Sequence, residues 1–159
     1  MTPLHIAAEN GQLSVCRLII SNIEDKNPKA TYGLTPFHLA AEAGHLDICQ
    51  LFISNIEDNK NPGDHFNWTP LHYAAQEGHF GLFRYIFNLA TEKNPPDNKK
   101  DTPLHLAARA RRTEIAIYII ERIDQVYVEN NLNESPLDLA LKNGNQLIMT
   151  CYMRKSQSK

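Results

Sequence analysis

Short apolar stretches recur along this chain in pairs, and each pair is followed by a polar segment. The first stretch of every pair is narrow, built on one large apolar residue and an Ala pair: Leu4 with Ala7-Ala8, Phe37 with Ala40-Ala41, Leu71 with Ala74-Ala75, Leu104 with Ala107-Ala108. The second stretch is bulkier and places apolar residues at i, i+3 and i+4, the spacing of one helix face. Its sets are Val15/Leu18/Ile19, Ile48/Leu51/Phe52, Leu82/Tyr85/Ile86, Ile115/Tyr118/Ile119 and Ile148/Cys151/Tyr152. The pattern predicts about five two-helix units, each with one stripe to bury.

The start of each unit carries the same string: Thr2-Pro3-Leu4-His5, Thr35-Pro36-Phe37-His38, Thr69-Pro70-Leu71-His72, Thr102-Pro103-Leu104-His105 and the weaker Ser135-Pro136-Leu137-Asp138. Thr or Ser is a good helix N-cap, and Pro fits the first helical position, where its missing N–H is no loss. The Ala pair keeps the first helix slim so that the second lies close. The Gly that usually follows (Gly11, Gly44, Gly78, Gly144) supplies the left-handed residue that ends it. A two-helix unit with a single apolar face cannot bury that face alone, so the units are expected to stack side by side into a solenoid.

A Thr-Pro-Leu-His-x-Ala string on a period near 33 residues resembles the ankyrin repeat. The resemblance covers essentially the whole chain, with copies starting near residues 2, 35, 69, 102 and 135 in a single domain, 1–159. It implies an all-α repeat fold, an L-shaped stack with short β-hairpin fingers and a concave face used to recognise proteins.

Several positions depart from the family pattern. The polar segment after the second helix, usually Gly-Ala-Asp-Val-Asn-Ala, reads Asn22-Ile23-Glu24-Asp25-Lys26-Asn27-Pro28, then Asn55-Ile56-Glu57-Asp58-Asn59-Lys60-Asn61-Pro62, so the helix exit is built differently. Arg111 replaces the turn Gly in the fourth copy, at a position that prefers positive φ. The finger position of Gly33 becomes Asn67, Lys100 and Asn133, of which Asn tolerates the left-handed region well. At the far end, Asp138 for His, Leu141 for the second Ala and a polar tail from Arg154 to Lys159 resemble a partial cap. The front copy has no finger before Thr2, so Leu4 and Ile6 are expected to meet solvent, or repeats preceding Met1 in a longer parent protein.

Charge and composition narrow the function classes. With 16 basic and 18 acidic residues among 159, the net charge of −2 argues against a general electrostatic hold on nucleic acid or anionic lipid. No apolar run reaches the roughly 18 residues a membrane span requires, and no signal-peptide pattern opens the chain. Cys16, Cys49 and Cys151 form neither an even disulfide framework nor a C-x-x-C pair, which points to an intracellular, cytoplasmic protein. Cys16 and Cys49 are equivalent positions on stacked helices about 8 to 10 Å apart, too far for an unstrained disulfide, and read as small buried hydrophobes.

The row His5, His38, His72 and His105 invites a metal or acid-base reading. Stacked helices about 8 to 10 Å apart cannot bring four ligands within about 2 Å of one ion, so a structural role is expected. The family resemblance likewise implies hydrogen bonds from each imidazole to backbone near the next finger. His45 and His79, after the turn Gly, read as packing or capping residues. No phosphate-binding loop, dinucleotide fingerprint, zinc-protease or nucleophile-elbow motif is present, so the chain reads as non-catalytic, with no cofactor and no metal. Asn67 and Asn133 open N-x-[ST] strings whose Thr69 and Ser135 are helix caps followed by Pro, which argues against glycosylation.

The residues that reach the recognition face are the finger tips and the exposed ends of the first helices. These are Tyr32, Leu34, Glu42 and Ala43 in the second copy; His65, Phe66, Trp68, Gln76 and Glu77 in the third; and Lys99, Asp101, Arg109, Ala110 and, just beyond, Arg112 in the fourth. Tyr32, Phe66 and Trp68 sit on fingers, where they serve either as binding hot spots or as packing between neighbouring fingers. Charge changes sign along the stack, from Glu9, Glu42 and Glu77 to Arg109, Arg111, Arg112 and Lys142, which would steer an elongated partner with the opposite gradient. The expectation is a monomeric scaffold or regulatory module that binds another protein. The rivals are a regulatory segment of a larger enzyme or channel and, more weakly, nucleic-acid binding through Arg109, Arg111 and Arg112.

Overall fold

The computed structural model describes residues 1–56 and 61–157. Four positions of the second helix exit, Glu57 to Lys60, and the last two of the tail, Ser158 and Lys159, lie outside the described residues. The described residues form ten α-helices: α1 Pro3–Glu9, α2 Leu13–Ile20, α3 Pro36–Ala43, α4 Leu46–Asn55, α5 Pro70–Glu77, α6 Phe80–Leu89, α7 Pro103–Arg109, α8 Thr113–Arg122, α9 Pro136–Lys142 and α10 Gln146–Gln157.

Every first helix begins where the sequence places it. Thr2, Thr35, Thr69, Thr102 and Ser135 are extended N-caps followed by Pro. The capping box is closed by His where Glu or Gln is usual: the Thr35 amide donates to His38 Nδ1 at 3.1 Å, and the His38 amide points back at Thr35 Oγ1 at 3.5 Å. In the last copy Asp138 does the same work, accepting from the Ser135 amide at 2.8 Å.

The Asn-Pro segments have a structural function that the repeat pattern alone does not reveal. Asn27, Asn61 and Asn94 each offer a side-chain carbonyl oxygen to the amide ten residues ahead, at Phe37, Leu71 and Leu104, at 3.2, 3.2 and 3.1 Å. Those amides lie in the first turn of a helix, where no intrahelical acceptor exists.

The chain divides into two compact units, Met1–Ala90 and Thr91–Lys159. In the first, α1 packs on α2, α3 on α4 and α5 on α6, while α1, α3 and α5 stack in one row and α2, α4 and α6 in another. The second unit repeats this two-layer plan with α7 and α9 in one row and α8 and α10 in the other. The Ala pairs of the first four copies are fully enclosed, as a close approach of the paired helices requires. The predicted stripe of α4 is buried throughout. In α6 and α8 its middle members Tyr85 and Tyr118 are half-buried, as is Cys151 in α10.

Two sequence expectations for the first copy are corrected. Leu4 does not meet solvent: it is 1% exposed, because its position points into the helix pair and toward the next copy. Val15 and Leu18, expected in the buried stripe, are exposed, and α2 buries Cys16 and Ile20 instead. Periodicity finds the apolar positions of a helix but not which of them a neighbour covers. Ile6, at 52% exposure, does face outward as expected.

The fingers are reduced to tight turns, and no strand is present among the described residues. Each closes with a backbone bond across five residues: Ala30 to Leu34, Asp64 to Trp68, Asp97 to Asp101 and Asn130 to Glu134, at 2.7 to 3.1 Å. Neighbouring fingers join within each unit, His65 amide to Tyr32 carbonyl at 2.8 Å and Asn131 amide to Lys99 carbonyl at 2.9 Å. Lys100 and Asn133, like Asn67, adopt the left-handed conformation expected at that finger position, and Arg111 adopts it (φ 59°) at the turn where other copies use Gly. The fourth-copy turn therefore keeps the common geometry, with a strain of about 1 kcal/mol for a residue that has a Cβ.

Candidate functional site

The histidine row explains how the fingers are held. A backbone N–H can only donate, so the Thr amide at His5, His38 and His105 fixes Nδ1 as an acceptor and leaves the proton on Nε2. That proton goes to the following finger: His5 Nε2 donates to the Leu34 carbonyl at 3.1 Å, and His105 Nε2 to that of Glu134 at 3.1 Å. His38 Nε2 donates to the carbonyls of Pro62 (2.8 Å) and Trp68 (3.1 Å). Burial holds all three imidazoles below the ordinary histidine value, against the opposing pull of these hydrogen bonds. The rings are neutral ties from helix to finger.

His45 and His79 tie the other end of the first helices. His45 Nε2 donates to the Glu9 carbonyl at 3.0 Å, and His79 Nε2 to the Glu42 carbonyl at 2.8 Å, so each reaches back one copy to the last turn of a first helix. Cys16 and Cys49 are buried and free, and burial raises both thiols. Among the described residues no group of three or more His, Cys, Asp or Glu is arranged to hold a metal ion, and no helix is long and apolar enough to cross a membrane.

The residues singled out from sequence fall into two groups, one per unit. In the first unit, Tyr32 and Phe66 are 60% and 55% exposed, with ring centroids 6.1 Å apart across adjacent fingers. They are at once solvent-facing and packed on each other, so the packing reading holds for this pair while both rings stay open to solvent. Trp68 is half-buried and sits edge-on to Tyr73 at 5.1 Å. His65 is exposed, and Leu34 is half-buried with its carbonyl taken by His5. Glu42 and Ala43 are exposed at the end of α3, and Gln76 and Glu77 half-buried at the end of α5. Burial, then the nearby carboxylates of Glu77 and Glu9, raise the Glu42 carboxyl above its usual value.

In the second unit, Asp101, expected at the finger tip, is only 7% exposed, so little of it is open to solvent. Its carboxylate accepts both Arg109 guanidinium nitrogens, at 2.8 and 2.9 Å, and Asn130 Nδ2 at 2.8 Å. Burial alone would raise its carboxyl; the hydrogen bonds from Arg109 and Asn130 outweigh it and hold the group below the usual carboxylate value. Lys99 and Arg112 are exposed, on the finger and at the start of α8.

Sequence reasoning missed Asp64 and Tyr73. Asp64 Oδ1 accepts the amides of Phe66 and Trp68, both at 2.8 Å, and Tyr73 donates its hydroxyl to Oδ2 at 3.0 Å. A signal was present: Tyr73 puts a phenol where the other copies carry Ile6, Leu39, Leu106 and Leu139, and Asp64 opens a finger as Asp97 and Asn130 do.

Capped helix pairs whose fingers are tied down by histidine define a class of repeat scaffold that carries its variable side chains on fixed turns. The family model for ankyrin repeats in three copies matches residues 4–97, and that for a single ankyrin repeat matches residues 99–131. The chain belongs to the ankyrin-repeat family. Beyond those matches, the fifth copy shows its helix pair in α9 and α10. None of the curated proteins compared with the chain matches it.

Proposed function

We propose that this chain is a non-catalytic protein-interaction module that binds its partner through finger tips and first-helix ends. Ankyrin repeats are in general protein-protein interaction modules. The observation that carries the reading here is the exposed Tyr32–Phe66 pair. Two large rings, the type most enriched at binding hot spots, stand in solvent on a backbone already immobilised by the finger bonds. Such rings are ordered before a partner arrives, which lowers the entropy cost of docking.

Nucleic-acid binding through Arg109, Arg111 and Arg112 is the weaker reading, because the Arg109 charge is already matched by Asp101. The five copies act as one domain in this proposal, within a scaffold or regulatory protein. The test is affinity capture with the full chain against a Tyr32→Ala/Phe66→Ala variant of unchanged thermal midpoint. Proteins retained by the native chain and lost by the variant support the reading; identical retention removes it.

A further inference from the structure

On the first unit, the exposed aromatic pair on the fingers and a row of carboxylates at the first-helix ends describe a particular ligand. Glu9, Glu42 and Glu77 occupy equivalent ends of the stacked helices α1, α3 and α5, and His45 and His79 hold two of those ends in register through the Glu9 and Glu42 carbonyls. Tyr73 connects this row to the fingers: its hydroxyl is bound to Asp64 at the base of the third finger, and it lies within electrostatic reach of Glu42. Glu9, Glu42 and Glu77 form no ion pair among the described residues. Among the described residues, Lys29, at the base of the second finger, and His65, on the third, are the basic side chains on the fingers of this unit.

Resting on the interaction reading above, we propose that the first unit binds an extended, arginine-bearing segment of a partner protein, with guanidinium groups on the first-helix carboxylates and against the Tyr32 and Phe66 rings. Guanidinium suits both surfaces, since it pairs with carboxylates through two parallel hydrogen bonds and stacks on aromatic faces. Spacing adds a constraint. Stacked helices stand about 8 to 10 Å apart, and a polyproline-II segment returns to the same face every third residue, after about 9 Å. The ligand is therefore a segment with arginine at every third position, so that successive guanidiniums meet the carboxylates of successive copies.

The probe is a synthetic peptide of repeated Arg-Pro-Ser triplets, titrated into the full chain while the fluorescence of Trp68 is followed. The controls are a peptide of the same composition with its arginines clustered and one with Glu for Arg. The expected result is saturable binding that the clustered isomer and a Glu42→Gln/Glu77→Gln variant each weaken by about tenfold, equivalent to about 1.4 kcal/mol. The Glu peptide should not bind. Absence of saturable binding, or indifference to Glu42→Gln/Glu77→Gln, overturns the proposal. Selection of random displayed peptides on the full chain and on Tyr32→Ala/Phe66→Ala separates the two levels. Enriched arginine-rich peptides that need Tyr32 and Phe66 support the proposal. Enriched peptides without arginine that need those rings overturn the ligand and leave the interaction reading standing, whereas no ring-dependent peptide overturns both.

Discussion

The His79 ring lies so close to Gly44 that a β-carbon added there would sit 2.6 Å from its Cε1. Gly44 is thus required twice, once for its left-handed backbone at φ 80° and once for the imidazole that covers it on the way to the Glu42 carbonyl. Gly144 holds a similar backbone at φ 63° but has nothing within 4 Å of its would-be β-carbon. Gly44→Ala should therefore cost about 2 to 3 kcal/mol, combining the backbone strain with a displaced hydrogen bond, against about 1 kcal/mol for Gly144→Ala. Urea unfolding of the two variants measures the difference; equal losses would show that His79 moves aside freely.

Acid should loosen the stack before it protonates the carboxylates. His5, His38 and His105 have folded pKa values below the unfolded one near 6.5, so the unfolded chain binds more protons below that pH. The stability their neutral forms contribute is full above about pH 6.5 and is lost as pH falls from there through the folded values. Protonation also turns Nδ1 into a donor facing the Thr amide, which is itself a donor. Asp138, in the fifth copy, behaves differently: hydrogen bonds from Ser135 lower its carboxyl, so its share is present above about pH 3.8 and is lost only below it. Urea midpoints should thus fall steadily from pH 7 to pH 5. Imidazole nitrogen shifts should show the Nε2–H tautomer for His5, His38 and His105 at pH 7; protonated rings there would refute the tautomer assignment.

The capping string, the slim first helices and the existence of a second helix in each copy were readable because each follows from the pattern within one copy. Thr35, Pro36 and His38 meet one another inside a single turn, and no neighbour is needed to infer the cap. What the sequence hid depends on contacts between copies. Val15 and Ile48 occupy the same slot and have the same apolar character, yet one is exposed and the other buried, since Ile48 lies on α4, which packs between α2 and α6. Asp101 looked like a finger-tip charge, and only the fold brings Arg109, eight residues on, and Asn130, from the next finger, to its carboxylate. The aromatic fingers were recognisable as fingers, but that Tyr32 and Phe66 pack on each other while staying exposed is visible only in the fold.

The Asp101–Arg109 pair should make a measurable contribution even though the Arg109 side chain is 41% exposed. Solvent screening reduces what the pair gives, but removal of Arg109 leaves a buried carboxylate with one neutral donor. Arg109→Met should destabilise by about 1 to 2 kcal/mol and Asp101→Asn by a similar amount. The double variant should cost less than the sum, with a coupling of about 1 kcal/mol in a double-mutant cycle. Additive losses would mean that the two groups act independently. Arg109→Lys should recover only part, since an ammonium cannot make the two parallel bonds.

Asp64 is the strongest test of how the third finger keeps its shape. Its Oδ1 takes two amides of the finger and its Oδ2 the Tyr73 hydroxyl, so one side chain closes the turn and anchors it to α5. The second finger, with Ala30 at this place, has no such acceptor and instead puts both Tyr32 and Gly33 at positive φ. Asp64→Ala should remove all three bonds at a cost of about 2 kcal/mol, whereas Tyr73→Phe loses one and should cost about 1 kcal/mol. Trp68 distinguishes them spectroscopically, because its ring rests edge-on against Tyr73 and its amide is one of the donors to Asp64. Asp64→Ala should shift Trp68 emission to the red as the finger opens, while Tyr73→Phe, which preserves the ring contact, should leave it near the native wavelength. An unshifted emission in Asp64→Ala would show that the His38 bond to the Trp68 carbonyl holds the finger without help from the aspartate.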